Sequence, residues 1–71
     1  MRILKVSKVD ERLLVEGDGF SMWANQALIN QDFVDFYDEK GSVMATFHLG
    51  KFGLSFPTEL RDILIKEVAN V

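Results

Sequence analysis

The chain has 71 residues, a formal net charge of -3, no cysteine, one histidine, one proline and 48% hydrophobic residues. That length suits a single small domain spanning residues 1–71 and excludes a multidomain enzyme. No run approaches the ~18 consecutive apolar residues of a membrane-spanning helix, so no membrane partner is expected.

A domain this small buries only about 60% of the surface its unfolded chain exposes, and its core supplies roughly 3–5 kcal/mol. Disulfides, a structural metal or self-association usually make up the difference. Without cysteine the first is closed, and with His48 as the only imidazole a metal site is not expected. A homo-oligomer is therefore expected, with no cofactor. The opening segment carries cations at Arg2, Lys5 and Lys8 and lacks the apolar core of a signal peptide, which implies a cytoplasmic protein. Residues 1–31 hold four basic and four acidic side chains, whereas residues 32–71 hold four basic and seven acidic ones, so the excess negative charge lies in the second half.

Ile3 to Val9 is rich in β-branched residues and partly alternating, and Leu13-Leu14-Val15 follows the charged pair Asp10-Glu11. The pattern predicts two strands joined by a tight turn. Gly17-Asp18-Gly19 comes next, and Asp-Gly is the dipeptide of a type I′ turn, whose two central residues both need positive φ. A third strand, Phe20 to Ala24, folds back on the second.

Two readings compete over residues 20–30. In one, the third strand is followed by a short helical turn at Asn25 to Asn30. In the other, Phe20, Trp23, Ala24, Ala27 and Leu28 follow helical spacing, and residues 21–30 form a helix with Ser21 as N-cap. Trp23 points inward in both.

Residues 32–49 carry the clearest signal: Asp32 to Tyr37, the turn Asp38-Glu39-Lys40-Gly41, then Ser42 to Leu49. Hydrophobic pattern fixes the register of such a hairpin. With Phe36 opposite Val43 and Val34 opposite Ala45, the residues Val34, Phe36, Val43, Ala45, Phe47 and Leu49 share one apolar face. Phe33, Asp35, Tyr37, Met44, Thr46 and His48 then share the other. Lys51 to Phe56 reads as a short edge strand or extended segment with Gly53 inside it.

Pro57 suits the first position of a helix, and Glu59 complements the helix dipole. Leu60, Ile63, Leu64, Val68 and Val71 follow helical spacing and define a buried stripe, with Asp62 and Lys66 as an ion pair on its flank. Glu67 falls within the stripe, its stem along apolar surface and its head in water. The expected fold is α+β: a small, mainly antiparallel sheet of about five strands with this C-terminal amphipathic helix packed on one face.

Little in the sequence points to chemistry. A carboxylate beside His48 could make it a general base, but Asp35 is expected across the sheet from it, and no nucleophile motif or Gly-rich phosphate loop accompanies it. No enzyme activity is expected. Asp32, Asp35, Asp38 and Glu39 bunch together without the Asp-x-Asp-x-Asp-Gly order of a calcium loop, and they read as solvated charges that guard a hairpin.

The apolar surplus says more. Phe33, Tyr37 and Met44 remain on the outer hairpin face, and Ile65 lies off the helix stripe. Such a surplus marks an interface. The expected function is a non-enzymatic protein–protein interaction module, homodimeric, using the outer face of the 32–49 hairpin: Phe33, Tyr37 and Met44 as anchors, Asp35 and His48 as polar rim. The alternative is a small nucleic-acid-associated regulator using Arg2, Lys5, Lys8 and Arg12. Against it stand the net negative charge and cations that alternate between strand faces. No small-molecule substrate is expected.

Overall fold

The computed structural model describes residues 2–60. Seven strands form two sheets: β1 (Arg2–Val9), β2 (Arg12–Gly17), β3 (Phe20–Ala24), β4 (Gln26–Asn30), β5 (Phe33–Tyr37), β6 (Val43–His48) and β7 (Phe52–Ser55). The first sheet runs in the order β3-β2-β1-β7 and the second β4-β5-β6. All neighbours are antiparallel except β1 and β7, which are parallel.

The expected α+β class is corrected by these strands. Among the described residues the chain is nearly all β, and its single helical element is a 3₁₀ turn, Thr58–Leu60, closed by the Leu60 N–H donating to the Pro57 carbonyl at 2.9 Å. No C-terminal amphipathic helix is found there; Asp62, Ile63, Leu64, Ile65, Lys66, Glu67, Val68 and Val71 lie outside the described residues. Leu60, the first residue of the expected stripe, is buried in the core.

One core serves both sheets. Leu4 and Val6 of β1, Leu13 and Val15 of β2, Ala24 of β3, Ala27 of β4, Val34 and Phe36 of β5, and Leu60 are all buried. These inward residues recur at every second position within each strand, the period of a pleated chain. Phe47 of β6 ties the layers together. Its ring stacks on Phe20 of the other sheet at 5.8 Å and meets the edges of Phe36 and Phe52 at 5.9 and 5.2 Å.

Both readings of residues 20–30 gave a helical element where the structure has none. β3 and β4 are two halves of one bent strand, with Asn25 at the bend and its N–H donating to the Tyr37 carbonyl at 2.8 Å. β3 pairs with β2 in the first sheet and β4 with β5 in the second. A strand that switches sheets through a bend makes the corner of a β-sandwich. The inward set is Met22 and Ala24 before the bend and Ala27 and Ile29 after it. The bend moves the alternation forward by one residue, and a period of two with one such slip imitates helical spacing. Trp23 is corrected with it, standing on the outer face of its sheet with 41% of its surface exposed.

The 32–49 hairpin keeps its faces but not its register. Phe36 pairs with Ala45 and Val34 with Phe47, two residues along from the expected pairs. Two single-residue changes add up to this shift. Asp38 holds a longer turn, its carboxylate accepting N–H bonds from Lys40 and Ser42, both at 2.9 Å, so Tyr37 rather than Phe36 pairs with Val43. A bulge between Phe36 and Tyr37 then takes up Met44 as an unpaired residue on the opposite strand. Either change alone would exchange the two faces; together they restore them. Val43, expected inside, is left 54% exposed at the bulge.

The turns show where backbone freedom is needed. At Asp18-Gly19 only the glycine takes a positive φ, 87°, so the type I′ turn is not formed; a positive φ at the second central residue alone is the type II pattern. Gly41 closes the longer turn with φ 84° and open space around it. Gly41→Val is expected to destabilise the fold by about 1–2 kcal/mol through backbone strain alone. Gly41→Asn should lose less, since asparagine tolerates this region. Thermal melts of both variants test this, and equal melting temperatures for the valine variant and the parent would contradict it.

Candidate interaction surface

The side of the second sheet turned away from the core is built by three aligned strands. Their pairing sets out three rows: Gln26, Tyr37 and Val43; Leu28, Asp35 and Thr46; Asn30, Phe33 and His48. Period-two alternation puts these residues outside because Val34, Phe36 and Phe47 take the inside, with Ala45 paired to Phe36. Four of the five residues expected to form the interface, Phe33, Asp35, Tyr37 and His48, thus share one continuous face. Met44 lies at its margin beside the bulge. Phe33 and Met44 are 43% and 45% exposed, and Asp35 and Tyr37 are half-buried by their neighbours.

Two cross-strand pairs fix the polar groups. The Thr46 hydroxyl donates to the Asp35 carboxylate at 2.6 Å. The His48 ring meets Phe33 edge to face, with centroids 4.8 Å apart, and its Nδ1 accepts the Gly50 N–H at 2.9 Å. That bond makes Nδ1 the acceptor and puts the neutral ring's proton on Nε2. Gly50 permits the approach: a Cβ there would lie 2.8–2.9 Å from the imidazole. The Asp35 carboxylate is thus engaged by Thr46 and the His48 ring by Phe33 and Gly50, and no acid–base dyad is formed between them.

Elsewhere the candidate residues do not converge. Asp32, Asp38 and Glu39 sit at the two ends of the hairpin and Asp35 in its middle. Among the described residues no group of three or more His, Asp or Glu side chains could hold one ion, and no polar or charged side chain is buried. Arg2 and Lys8 share the inward-facing register of β1 at its opposite ends, whereas Lys5 and Arg12 lie on the outer face of that sheet. The basic set of the nucleic-acid reading is therefore divided between two faces. No helix among the described residues is long and apolar enough to cross a membrane.

Sequence reasoning missed a second exposed group. On the outer face of the first sheet stand Ile3, Val9 and Trp23, 52%, 40% and 41% exposed, with the Arg12 guanidinium over the Trp23 ring at 4.6 Å. The signal was the alternation Phe20, Met22, Ala24, which leaves Trp23 facing the other way. No family model, curated protein or solved structure matches this chain. The surface must be read from its own chemistry, which is aromatic and aliphatic contact area around one hydrogen-bonded carboxylate.

The Asp35–Thr46 bond lies on an exposed face, where such a pair contributes about 0.2–1 kcal/mol. Thr46→Val and Asp35→Ala should each lower stability by no more than this, and the double variant should lose no more than the larger single loss, because both remove one interaction. A double-mutant cycle by urea unfolding measures it; fully additive losses would show that the two side chains act independently.

Proposed function

We propose that this protein is a non-enzymatic interaction module, homodimeric, which presents the outer face of the 32–49 hairpin to a protein partner. The observation that carries the reading is the content of that face: exposed Phe33, Val43 and Met44 around half-buried Tyr37 and Leu28, on a sheet whose other side is the core. Exposed aromatic and methionine side chains clustered on a rigid sheet are the composition of an interface centre, and His48 and Asp35 supply its polar groups. The small core of a 71-residue chain without cysteine supports association as a source of stability. A cytoplasmic setting belongs to this proposal, and a cysteine-free chain is compatible with it.

The face reading separates two adjacent residues. Phe36 is fully buried, and Phe36→Ala should cost about 3–5 kcal/mol as a core cavity, enough to unfold so small a domain. Tyr37→Ala should leave the fold intact and weaken association. Circular dichroism melts with sedimentation equilibrium on both variants decide it. An unfolded Tyr37→Ala with an unaffected Phe36→Ala would place the proposed interface in the core, and a Tyr37→Ala that associates like the parent would remove it from the interface.

A further inference from the structure

A cavity of about 560 Å³ opens where β1 begins. It is lined by Arg2 of β1, by Gly50 and Lys51 in the turn between β6 and β7, and by Phe52 at the start of β7. Pockets that take small molecules run from about 300 to 1,000 Å³, so the space suits one.

The backbone around this cavity is held from both sides. β1 and β7 run parallel with Arg2 in register with Phe52, which sets the guanidinium-bearing residue beside the aromatic one. The Lys51 N–H donates to the His48 carbonyl and the Gly50 N–H to His48 Nδ1, both at 2.9 Å, and these two bonds close the turn that carries the second cation. The Phe52 ring is half-buried and meets Phe47 edge to face with centroids 5.2 Å apart. Both N–H groups of the turn are engaged within the protein, so the donors left for a ligand are the two cationic side chains. A backbone ordered before binding loses less entropy when a ligand arrives.

Charge decides what kind of ligand fits. The lining carries two positive charges and no carboxylate, in a chain whose net charge is -3. Other cations are placed differently: Lys5 stands opposite Glu16 across the ladder, and Arg12 lies over the Trp23 ring. Neighbouring cations repel, and an anion between them turns that repulsion into attraction. Arginine offers a planar fork that grips two phosphate oxygens, and lysine a point charge for a third. A phosphate monoester carries about -1.5 to -2 at pH 7 and balances the pair, whereas a carboxylate or a phosphodiester, singly charged, leaves one cation unbalanced. Gly50 has no side chain to fill the space, and the Phe52 ring gives the organic part of such a ligand an apolar wall.

We propose that the cavity between Arg2 and Lys51 binds a small phosphate monoester, its phosphoryl oxygens held by the two cations and its organic body against Phe52. No bond is made or broken there. The site goes beyond the reading of the outer hairpin face and stands or falls separately, since none of the four lining residues belongs to that face.

Titration of the full chain with phenyl phosphate, followed by amide chemical shifts, tests the site. The amides of Gly50, Lys51 and Phe52 should move together and saturate, with a dissociation constant below ~1 mM. Arg2→Gln and Lys51→Gln should each raise that constant at least ~10-fold. Both side chains are exposed, so these variants keep the fold, and Lys8→Gln, at the opposite end of β1, should bind like the parent. Three further probes fix the ligand class without any variant. Inorganic phosphate should shift the same amides more weakly, for want of the ring; diphenyl phosphate and a short oligothymidylate without terminal phosphates should bind at least ~10-fold more weakly, for want of the second charge. The absence of a saturable shift at Gly50 to Phe52 with phenyl phosphate would overturn the proposal. So would a loss for Lys8→Gln equal to that for Arg2→Gln, or inorganic phosphate, the diester or the oligonucleotide binding as tightly as the monoester.

Discussion

The structure depends on the bend at Asn25. Without it, residues 20–30 would continue along one sheet, and the apolar sides of the two halves would have no layer to cover them. With it, Ala24 enters the core from one sheet and Ala27 from the other, and both are almost wholly buried. Small side chains stand on both sides of the corner at which the strand passes from one sheet to the other. The Asn25 N–H bond to Tyr37 keeps the corner's backbone paired as the chain leaves one ladder for the next. Farther from the corner the gap is filled by rings, with Phe47 set among Phe20, Phe36 and Phe52.

Much of this was legible as alternation. The strands around Val6, Val15 and Phe36 follow the period of a pleated chain, and the inner and outer faces of the 32–49 hairpin can be read directly from it. What misleads is a change of phase. At Asn25 one skipped residue turns two strands into a false helical stripe and hides the outward position of Trp23. In the hairpin, the turn built by the Asp38 carboxylate and the bulge at Met44 each add one residue, and neither leaves a hydrophobic trace. The first is a side-chain-to-backbone device, the second a local twist of the ladder. Leu60 shows the opposite case, since its burial follows from an apolar residue after Pro57 whether that segment is a long helix or the short turn found.

The candidate surface was legible to the same extent. Phe33, Asp35, Tyr37 and His48 were placed on one face by parity, and parity survived the register shift. Their pairings did not, because Asp35 with Thr46 and Phe33 with His48 depend on that register. The neutrality of the edge strands could not be read at all until the strand order was known, for the sequence shows which segments lack charge but not which of them lie at an edge. Core and surface thus follow from one arrangement: the charged side chains within strands all belong to the inner strands and none of them is buried, and the outer strands carry no Asp, Glu, Lys or Arg.

The most direct test of this account is the backbone state of residues 20–30 in the intact protein, read by nuclear Overhauser contacts and amide hydrogen exchange. A strand bent at Asn25 predicts cross-strand contacts joining Ala24 to Leu13 and Ala27 to Phe36, with a slowly exchanging Asn25 amide between them. Strong contacts between successive amide protons and unbroken protection from Asn25 to Asn30 would show a helix there, and would contradict the two-sheet fold and the surface built on it.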